Sequence, residues 1–443
     1  MKLSVLEKIG FGAGDMAINI IIIAIQLLLA YFYTDIYGLH AADVGVLFVV
    51  VRLIDAIIDP LMGVLTDKVN TRWGRYRPYL LWFAIPFGFA VYLMFITPDV
   101  DYTAKLAWAY FTYILMTVIY TAITIPYISM IGVITDDPLE RLSANGYRFV
   151  MTKIAAFLVT IVVPLMAVWL GQGSKAHGYQ LSMGLMGVMG AVLFIFCFLT
   201  TRERSRPEIP TMRLPEQFRL LLRNDQWLLL GVVIMLLMCG YVIRGSVAAY
   251  YAKYYLEGGD ALISPFLTVG VVASILAMIS TTYITRVYDK IKLFRYTQLL
   301  TFILSLGMFF LVGQNNLWLA FIFYFLINYF CDMQMPIFWS SIAEAVDYGE
   351  NKTGKRVSGL AFGGILFFQK FGMGIAGGLL GFLLSHFGYQ PDVQQTANAL
   401  TGIAMMMTII PALFHLIIGL LMKRYVINNH YYAELKLALA KRG

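Results

Sequence analysis

The feature that most constrains this chain is a series of apolar segments, each about 20 residues long, that recurs along its whole length. Of the 443 residues, 60% are apolar and only 13% are charged, about half the charged fraction of a soluble domain. A helix of such a segment is long enough to cross the hydrocarbon core of a bilayer. The sequence therefore predicts an all-α membrane protein with about twelve transmembrane helices.

The net charge of +8 follows membrane topology. Most of the 33 Lys and Arg residues lie in alternate loops and at the two termini, whereas the other loops hold only Lys105 and Lys175. Such an excess of basic residues in short loops marks the cytoplasmic side. We therefore predict cytoplasmic N and C termini, no cleaved signal peptide and no nucleic acid partner.

The spacing of the apolar segments divides the chain into two halves of six helices. The predicted regions are an N-terminal bundle at 1–201, a cytoplasmic connecting loop at 202–225, a C-terminal bundle at 226–425 and a cytoplasmic tail at 426–443. Asp67-Lys68 after the second span and Asp289-Lys290 after the eighth indicate a weak internal repeat. Two parallel six-helix repeats are typical of the major facilitator fold, in which the substrate site lies between two pseudo-symmetric bundles.

The second predicted span, 41–66, carries an unusual cluster of charges. Ionisable side chains near the membrane centre cost at least about 2.5 kcal/mol each, so their presence indicates function. Arg52, Asp55 and Asp59 follow the helical spacing i, i+3, i+7, which places them on one face. Two carboxylates one turn apart repel each other unless a proton or another cation lies between them. The motif predicts a cation site; the alternative is a structural Arg52–Asp55 pair with Asp59 at the cytoplasmic end.

Other charged side chains lie in or beside predicted spans of both halves. Lys370, deep in the eleventh span, either joins the network of the two aspartates or reaches the membrane interface. Arg244 in the seventh span either binds a sugar or pairs with Asp332 in the tenth. Arg148, at the start of the fifth span, either reaches a central cavity or lies at the interface.

Several motifs together resemble one known family. They are GFGAGD and YFYTD in the first span, RLIDAIIDP in the second, RWGRYRP in the next loop, YTAITIPY in the fourth, FWSSIAEAVDYGE in the tenth and Lys370 in the eleventh. With them the chain resembles the glycoside–pentoside–hexuronide:cation symporters, the branch of the major facilitator superfamily that includes the melibiose permease. The resemblance implies cation-coupled symport of a sugar or glycoside by alternating access, in a bacterial inner membrane.

By this resemblance, Asp55 and Asp59 would bind the coupling cation, with Thr121 and Lys370 beside them. The family's sodium site also uses a polar side chain just before the second aspartate, where this chain has Ile58. Because two carboxylates suffice to hold a proton, the sequence favours H⁺ over Na⁺. No other cofactor is expected.

The substrate positions depart from the family pattern, so the resemblance does not imply galactoside specificity. The positions that match the family's sugar-binding residues are Asn19, Thr124, Ile128 and Arg148. Further candidates for substrate contact are Asp15, Arg52, Arg244, Asp332 and Trp339. Candidates for a cytoplasmic gate between the halves are Asp67, Arg75, Arg77, Asp347 and Glu350.

Motifs of other function classes are missing from the sequence. It contains no P-loop, no HExxH and no recognisable nucleophile–base pair, and its five histidines are scattered. We therefore expect neither an enzyme nor an ATP-driven pump, and no metal centre. The alternatives to sugar symport are carriage of a lysolipid or another amphiphile and a membrane sensor without transport. We expect a monomer in the lipid bilayer, with a sugar or glycoside and a cation as its partners.

Overall fold

A computed structural model describes residues 3–68, 71–135, 138–204, 214–285, 287–314, 316–355, 357 and 359–440. The described residues are predominantly helical and contain no β-strand. In chain order the α-helices are α1 (Val5–Ala24), α2 (Ala41–Lys68), α3 (Arg77–Trp82), α4 (Ala84–Met94), α5 (Tyr102–Ile134), α6 (Pro138–Phe157), α7 (Val163–Gly171), α8 (Lys175–Thr200), α9 (Leu214–Leu222), α10 (Asp225–Tyr250), α11 (Gly259–Ile284), α12 (Lys290–Leu311), α13 (Leu317–Thr353), α14 (Gly359–His386), α15 (Ala397–Met407), α16 (Ile409–Leu421) and α17 (Asn429–Ala440).

Ten helical stretches of the described chain are long and apolar enough to cross a membrane. Helix α2 has 28 residues but carries the charged face of Arg52, Asp55 and Asp59. Helices α3 and α4 meet at Phe83 and together cover 77–94. With these two segments the structure is consistent with the predicted twelve spans, and the all-α membrane architecture is confirmed.

The chain folds into two compact units. The first comprises Met1–Ile209 with Gln390–Val393, and the second comprises Pro210–Tyr389 with Gln394–Gly443. In the first unit α1 packs against α6 and α8, α2 against α5, and α4 against α5 and α8. In the second unit α10 packs against α14 and α16, α11 against α13, and α12 against α13 and α16. Helices at corresponding positions in the two units therefore pack in the same pairs, as expected for pseudo-symmetric repeats.

A π-helical turn follows the first long helix of each unit. Helix α1 continues into two π-helical turns, the second at Phe32–Ile36, and α10 continues into one at Tyr251–Tyr255. Both turns directly follow an Ala-Tyr pair. In each unit the second residue after the turn has a positive φ, 81° at Gly38 and 53° at Glu257. The common sequence and geometry after α1 and α10 are a second sign of an internal repeat, in addition to the pair of Asp-Lys loops.

Helix starts follow ordinary capping chemistry. The Ser4 hydroxyl accepts a hydrogen bond from the Glu7 amide at 3.2 Å, and the Glu7 carboxylate accepts one from the Ser4 amide at 2.9 Å. Asn224 caps α10 by accepting from the Trp227 amide at 3.0 Å. These contacts satisfy amides that the first helical turn leaves without a backbone partner.

Candidate functional site

The two aspartates of α2 lie beside one hydroxyl of α5. Thr121 Oγ1 is 3.0 Å from Asp55 Oδ1 and 3.2 Å from Asp59 Oδ1. Asp55 and Thr121 are both fully buried. A threonine hydroxyl has a single hydrogen to donate, so it can satisfy only one of these carboxylates at a time. The two carboxylates and the hydroxyl therefore form one compact oxygen cluster.

Arg52 forms an ion pair with Asp55 within α2, with 3.2 Å between Nη1 and Oδ2. The structural pair considered as the alternative is thus present, but Asp59 also lies within the cluster, through Thr121. A cavity of about 10 Å³, room for roughly one water molecule, lies against Arg52 and Asp55.

A second cluster joins α1 to α6 around Asp15, which is buried. Arg148 Nη2 lies 2.8 Å from Asp15 Oδ1. The hydroxyl of Thr152 donates to Asp15 Oδ2 at 2.6 Å, and the side-chain amide of Asn19 donates to the same oxygen at 3.1 Å. Arg148 therefore points into the interior of the first unit and meets Asp15, 133 residues earlier in the chain.

Two aromatic rings flank the Arg148 guanidinium. Its centre lies 5.7 Å from the Phe11 ring centroid and 5.5 Å from that of Tyr127, within the range of a cation–π contact. The Tyr127 hydroxyl donates to the Phe11 carbonyl at 2.6 Å. A Cβ atom at Gly14 would lie 2.5 Å from the Tyr127 ring, so glycine at this position lets α1 approach α5. Glycine in the GFGAGD motif thus has a packing role.

Some hydrogen-bonding capacity remains in this region. The Nε atom of Arg148 and the hydroxyl of Thr124 are buried and have no hydrogen-bond partner among the described residues. Ile128, one turn after Thr124, is partly exposed. Unmet donors and acceptors of this kind are what a polyhydroxylated ligand can use.

The second unit encloses a different polar network around Arg244. This buried guanidinium donates to the Met407 carbonyl at 3.2 Å and the Ser305 hydroxyl at 2.9 Å, and it lies 3.2 Å from Cys331 Sγ. His415 Nε2 lies 3.4 Å from the same sulfur. These contacts connect α10, α12, α13 and α16 with Met407 at the end of α15, and they support a structural role for Arg244.

The network continues through side-chain amides. His415 Nδ1 is 2.6 Å from Gln298 Oε1, and Gln298 Nε2 donates to Gln334 Oε1 at 2.9 Å. Reasoning from the sequence missed Gln298 and Gln334, although a glutamine inside an apolar span is itself a signal. Of the remaining candidates in this unit, Asp332 is buried on α13, Trp339 is partly exposed on α13 and Lys370 lies on α14. The roles assigned to these three residues stay predictions.

Within the first unit, two of the candidate gate residues belong to a loop that binds a carboxylate. Glu203 accepts hydrogen bonds from the amides of Arg75, Tyr76 and Arg77 at 2.9, 2.7 and 2.8 Å. The Arg77 guanidinium donates to the Phe198 carbonyl at 2.6 Å. The RWGRYRP loop thus forms a backbone nest for an anionic side chain, a contact that the sequence did not predict.

In the second unit the tail helix α17 contacts a candidate gate residue. The Tyr432 hydroxyl donates to Asp347 Oδ2 at 2.7 Å. Glu350, also on α13, lines a small cavity under α9. The side chain of Asp67 lies outside the described residues. These hydrogen bonds of the loop and of Asp347 each lie within one unit, so a gate between the halves stays a prediction.

Comparison with known proteins agrees with this architecture. Residues 10–429 match the family model described as "MFS/sugar transport protein". The chain is 36% identical to the inner membrane symporter YicJ of Escherichia coli (strain K12), over 96% of this chain and 92% of the relative. It is 33% identical to the isoprimeverose transporter of Lactiplantibacillus pentosus, over 90% of this chain and 84% of the relative.

The fold is similar to that of solved transporters. The crystal structure of a D-xylose–proton symporter matches with a TM-score of 0.63 and 14% sequence identity, covering 96% of this chain and 97% of the other. At this level of identity the match shows a shared fold.

Proposed function

The chain belongs to the MFS/sugar transport protein family, and from this premise we propose that it couples proton uptake to uptake of a neutral sugar or glycoside. It is a membrane transporter and not an enzyme. The proposal depends above all on the position of Thr121, 3.0 Å from Asp55 and 3.2 Å from Asp59. Two carboxylates held this close inside a membrane repel each other until positive charge is added.

The coupling cation is best assigned as a proton. Asp55 is ion-paired with Arg52, and we assign the added proton to Asp59, one turn further along α2. Hard metal cations are bound by several oxygen ligands, and Ile58, next to Asp59, contributes none. Protonation of Asp59 removes the repulsion between the two carboxylates and leaves the Thr121 hydroxyl to Asp55.

The sugar is assigned to the cluster of α1, α5 and α6. Arg52 and Arg148 are each paired with a carboxylate, at 3.2 and 2.8 Å, so an acidic sugar would have to break an existing ion pair. Hydroxyl groups can instead use the Arg148 Nε atom and the Thr124 hydroxyl. A neutral cargo is therefore favoured. The name of one relative, an isoprimeverose transporter, supports a sugar cargo.

The membrane orientation is part of the same proposal. The concentration of basic residues in alternate loops supports cytoplasmic termini, and one relative is named an inner membrane symporter. Alternating access then carries both ligands inward. By linkage, each ligand must raise the affinity for the other to the same degree.

A direct test is sugar-induced pH change in de-energised vesicles that contain the protein. Each neutral glycoside of a panel is added with and without sodium, and the external pH is recorded. We expect alkalinisation with at least one glycoside, independent of sodium, and no signal from vesicles without the protein. Sugar entry without movement of either cation would refute coupling. Inhibition by lysolipids but by none of the sugars would instead support amphiphile carriage.

A further inference from the structure

The short helix α9 presents an exposed face with large apolar side chains. It precedes α10 and lies within the predicted connecting loop. Phe218 and Leu222 are 53% and 61% exposed, and Arg219 and Arg223 are exposed beside them. Residues four apart share one face of a helix, so Phe218 and Leu222 form one row, with Arg219 beside it and Arg223 directly after the helix end.

The opposite face of α9 is held in place. Leu221 is only 4% exposed, and α9 packs against α10, α13 and α14. Glu216 pairs with Lys355 at 2.5 Å, and Asn224, just beyond the helix, donates to the Ala345 carbonyl at 2.7 Å. These contacts hold α9 against the bundle with Phe218 and Leu222 on its exposed side.

We infer that this face of α9 binds anionic phospholipid at the cytoplasmic leaflet. Only Arg223 and Asn224 separate α9 from the first residue of the α10 span, which holds the helix near the membrane surface. A short amphipathic helix with apolar and basic rows is suited to lie in that interface. Phe218 and Leu222 enter the boundary of the acyl chains, and Arg219 and Arg223 bind headgroup phosphates.

Charge argues for a lipid rather than a protein as the occupant. Neither Arg219 nor Arg223 forms an ion pair with any residue that the structure describes, while the one acidic side chain of the helix, Glu216, is already paired with Lys355. The face therefore offers two positive charges toward a leaflet whose anionic lipids attract them. This inference uses the proposed cytoplasmic orientation but is independent of the cargo and the coupling ion.

The depth of α9 can be measured on the full-length protein in nanodiscs of phosphatidylcholine with phosphatidylglycerol. A spin label is attached to Phe218→Cys, and the matched control is Lys292→Cys, an exposed basic position at the start of α12. The three native cysteines are buried. We expect the label at 218 to collide more with oxygen than with a water-soluble nickel chelate, and the label at 292 to show the reverse. Preferential nickel collisions at 218 would overturn the inference.

The arginines are tested by photo-crosslinking with a diazirine analogue of phosphatidylglycerol. The yield on the α9 peptide should fall about fivefold in each of Arg219→Gln and Arg223→Gln, and should be unchanged in Arg219→Lys and Lys292→Gln. A phosphatidylcholine analogue should crosslink weakly to all of these proteins. Equal yields from the two lipids, or burial of position 218 only after a soluble protein is added, would refute a lipid site.

Discussion

The two units share their helix packing but differ in what they bury. In the first unit two arginines inside the bundle pair with carboxylates, Arg52 with Asp55 and Arg148 with Asp15. In the second unit Arg244 is surrounded by a carbonyl, a hydroxyl and a thiol. The packing of a repeat depends on small and apolar surfaces that many sequences provide, whereas an ion site depends on a few side chains. The repeat can therefore keep its architecture while its two copies differ in the partners of their buried arginines.

The sequence of α11, the counterpart of α2, illustrates this difference. The offset that relates Asp67 to Asp289 relates Asp55 and Asp59 to Ala277 and Thr281. The only acidic residue of α11 is Asp260, in its first turn. If the first unit alone binds the cation, changes in α2 and α5 should alter coupling, and changes in the second unit should alter stability.

The largest expected effect is that of Asp59→Asn. The amide cannot take up the coupling proton, so uphill accumulation of sugar in energised proteoliposomes should be abolished while exchange of sugar down its gradient continues. The matched control is Thr281→Ala at the equivalent position of the second unit, which should accumulate sugar normally. Normal accumulation by Asp59→Asn would show that the coupling site is assigned to the wrong residue.

The next largest effect is expected from Arg244→Leu. Removing the guanidinium leaves the Met407 carbonyl and the Ser305 hydroxyl without their donor and breaks the contact to Cys331. At about 1 kcal/mol for each contact, the loss of stability is about 3 kcal/mol, measurable as a lower midpoint of thermal unfolding in detergent. The proton affinity seen in the pH dependence of uptake should not change. Loss of sugar binding at unchanged stability would instead make Arg244 a substrate ligand.

A smaller effect, confined to coupling, is expected from Thr121→Val. Valine keeps the volume of threonine but removes the hydroxyl shared by Asp55 and Asp59. A hydrogen bond to a charged group contributes about 1.5–3 kcal/mol, so the apparent affinity for the coupling cation should change by about ten- to a hundredfold. Thr121→Ser retains the hydroxyl and should behave like the unaltered protein. An unchanged cation dependence in Thr121→Val would separate Thr121 from the site.

The smallest effect is expected from Tyr432→Phe on α17 of the second unit. This change removes the donor to Asp347 and should lower stability by about 1 kcal/mol, seen as increased proteolysis of α17. By contrast, Glu203→Gln in the first unit disturbs three backbone hydrogen bonds and should destabilise more. A larger loss of stability in Tyr432→Phe than in Glu203→Gln would contradict this order.

Local spacing was enough to find the membrane spans and the charged face of α2. An apolar segment of about 20 residues has few stable alternatives to a transmembrane helix. In a helix of fixed geometry, the intervals between Arg52, Asp55 and Asp59 determine which side they share. Thr121 came from the family resemblance, since nothing in its own surroundings in the sequence marks it. The Ala-Tyr repeat before the π-helical turns was visible in the sequence but was overlooked.

What the tertiary structure decided is which distant groups meet. The sequence left open whether Arg148 reaches a cavity or lies at the interface. In the structure, the packing of α6 on α1 brings Arg148 to Asp15. The sequence also left open whether Arg244 binds a sugar or pairs with Asp332, and three other segments of the chain supply the contacts seen. The cradle of Glu203 forms from the amides of a loop more than a hundred residues earlier. Such contacts depend on how helices cross and rotate, which the packing of many side chains sets together, and no local pattern encodes that.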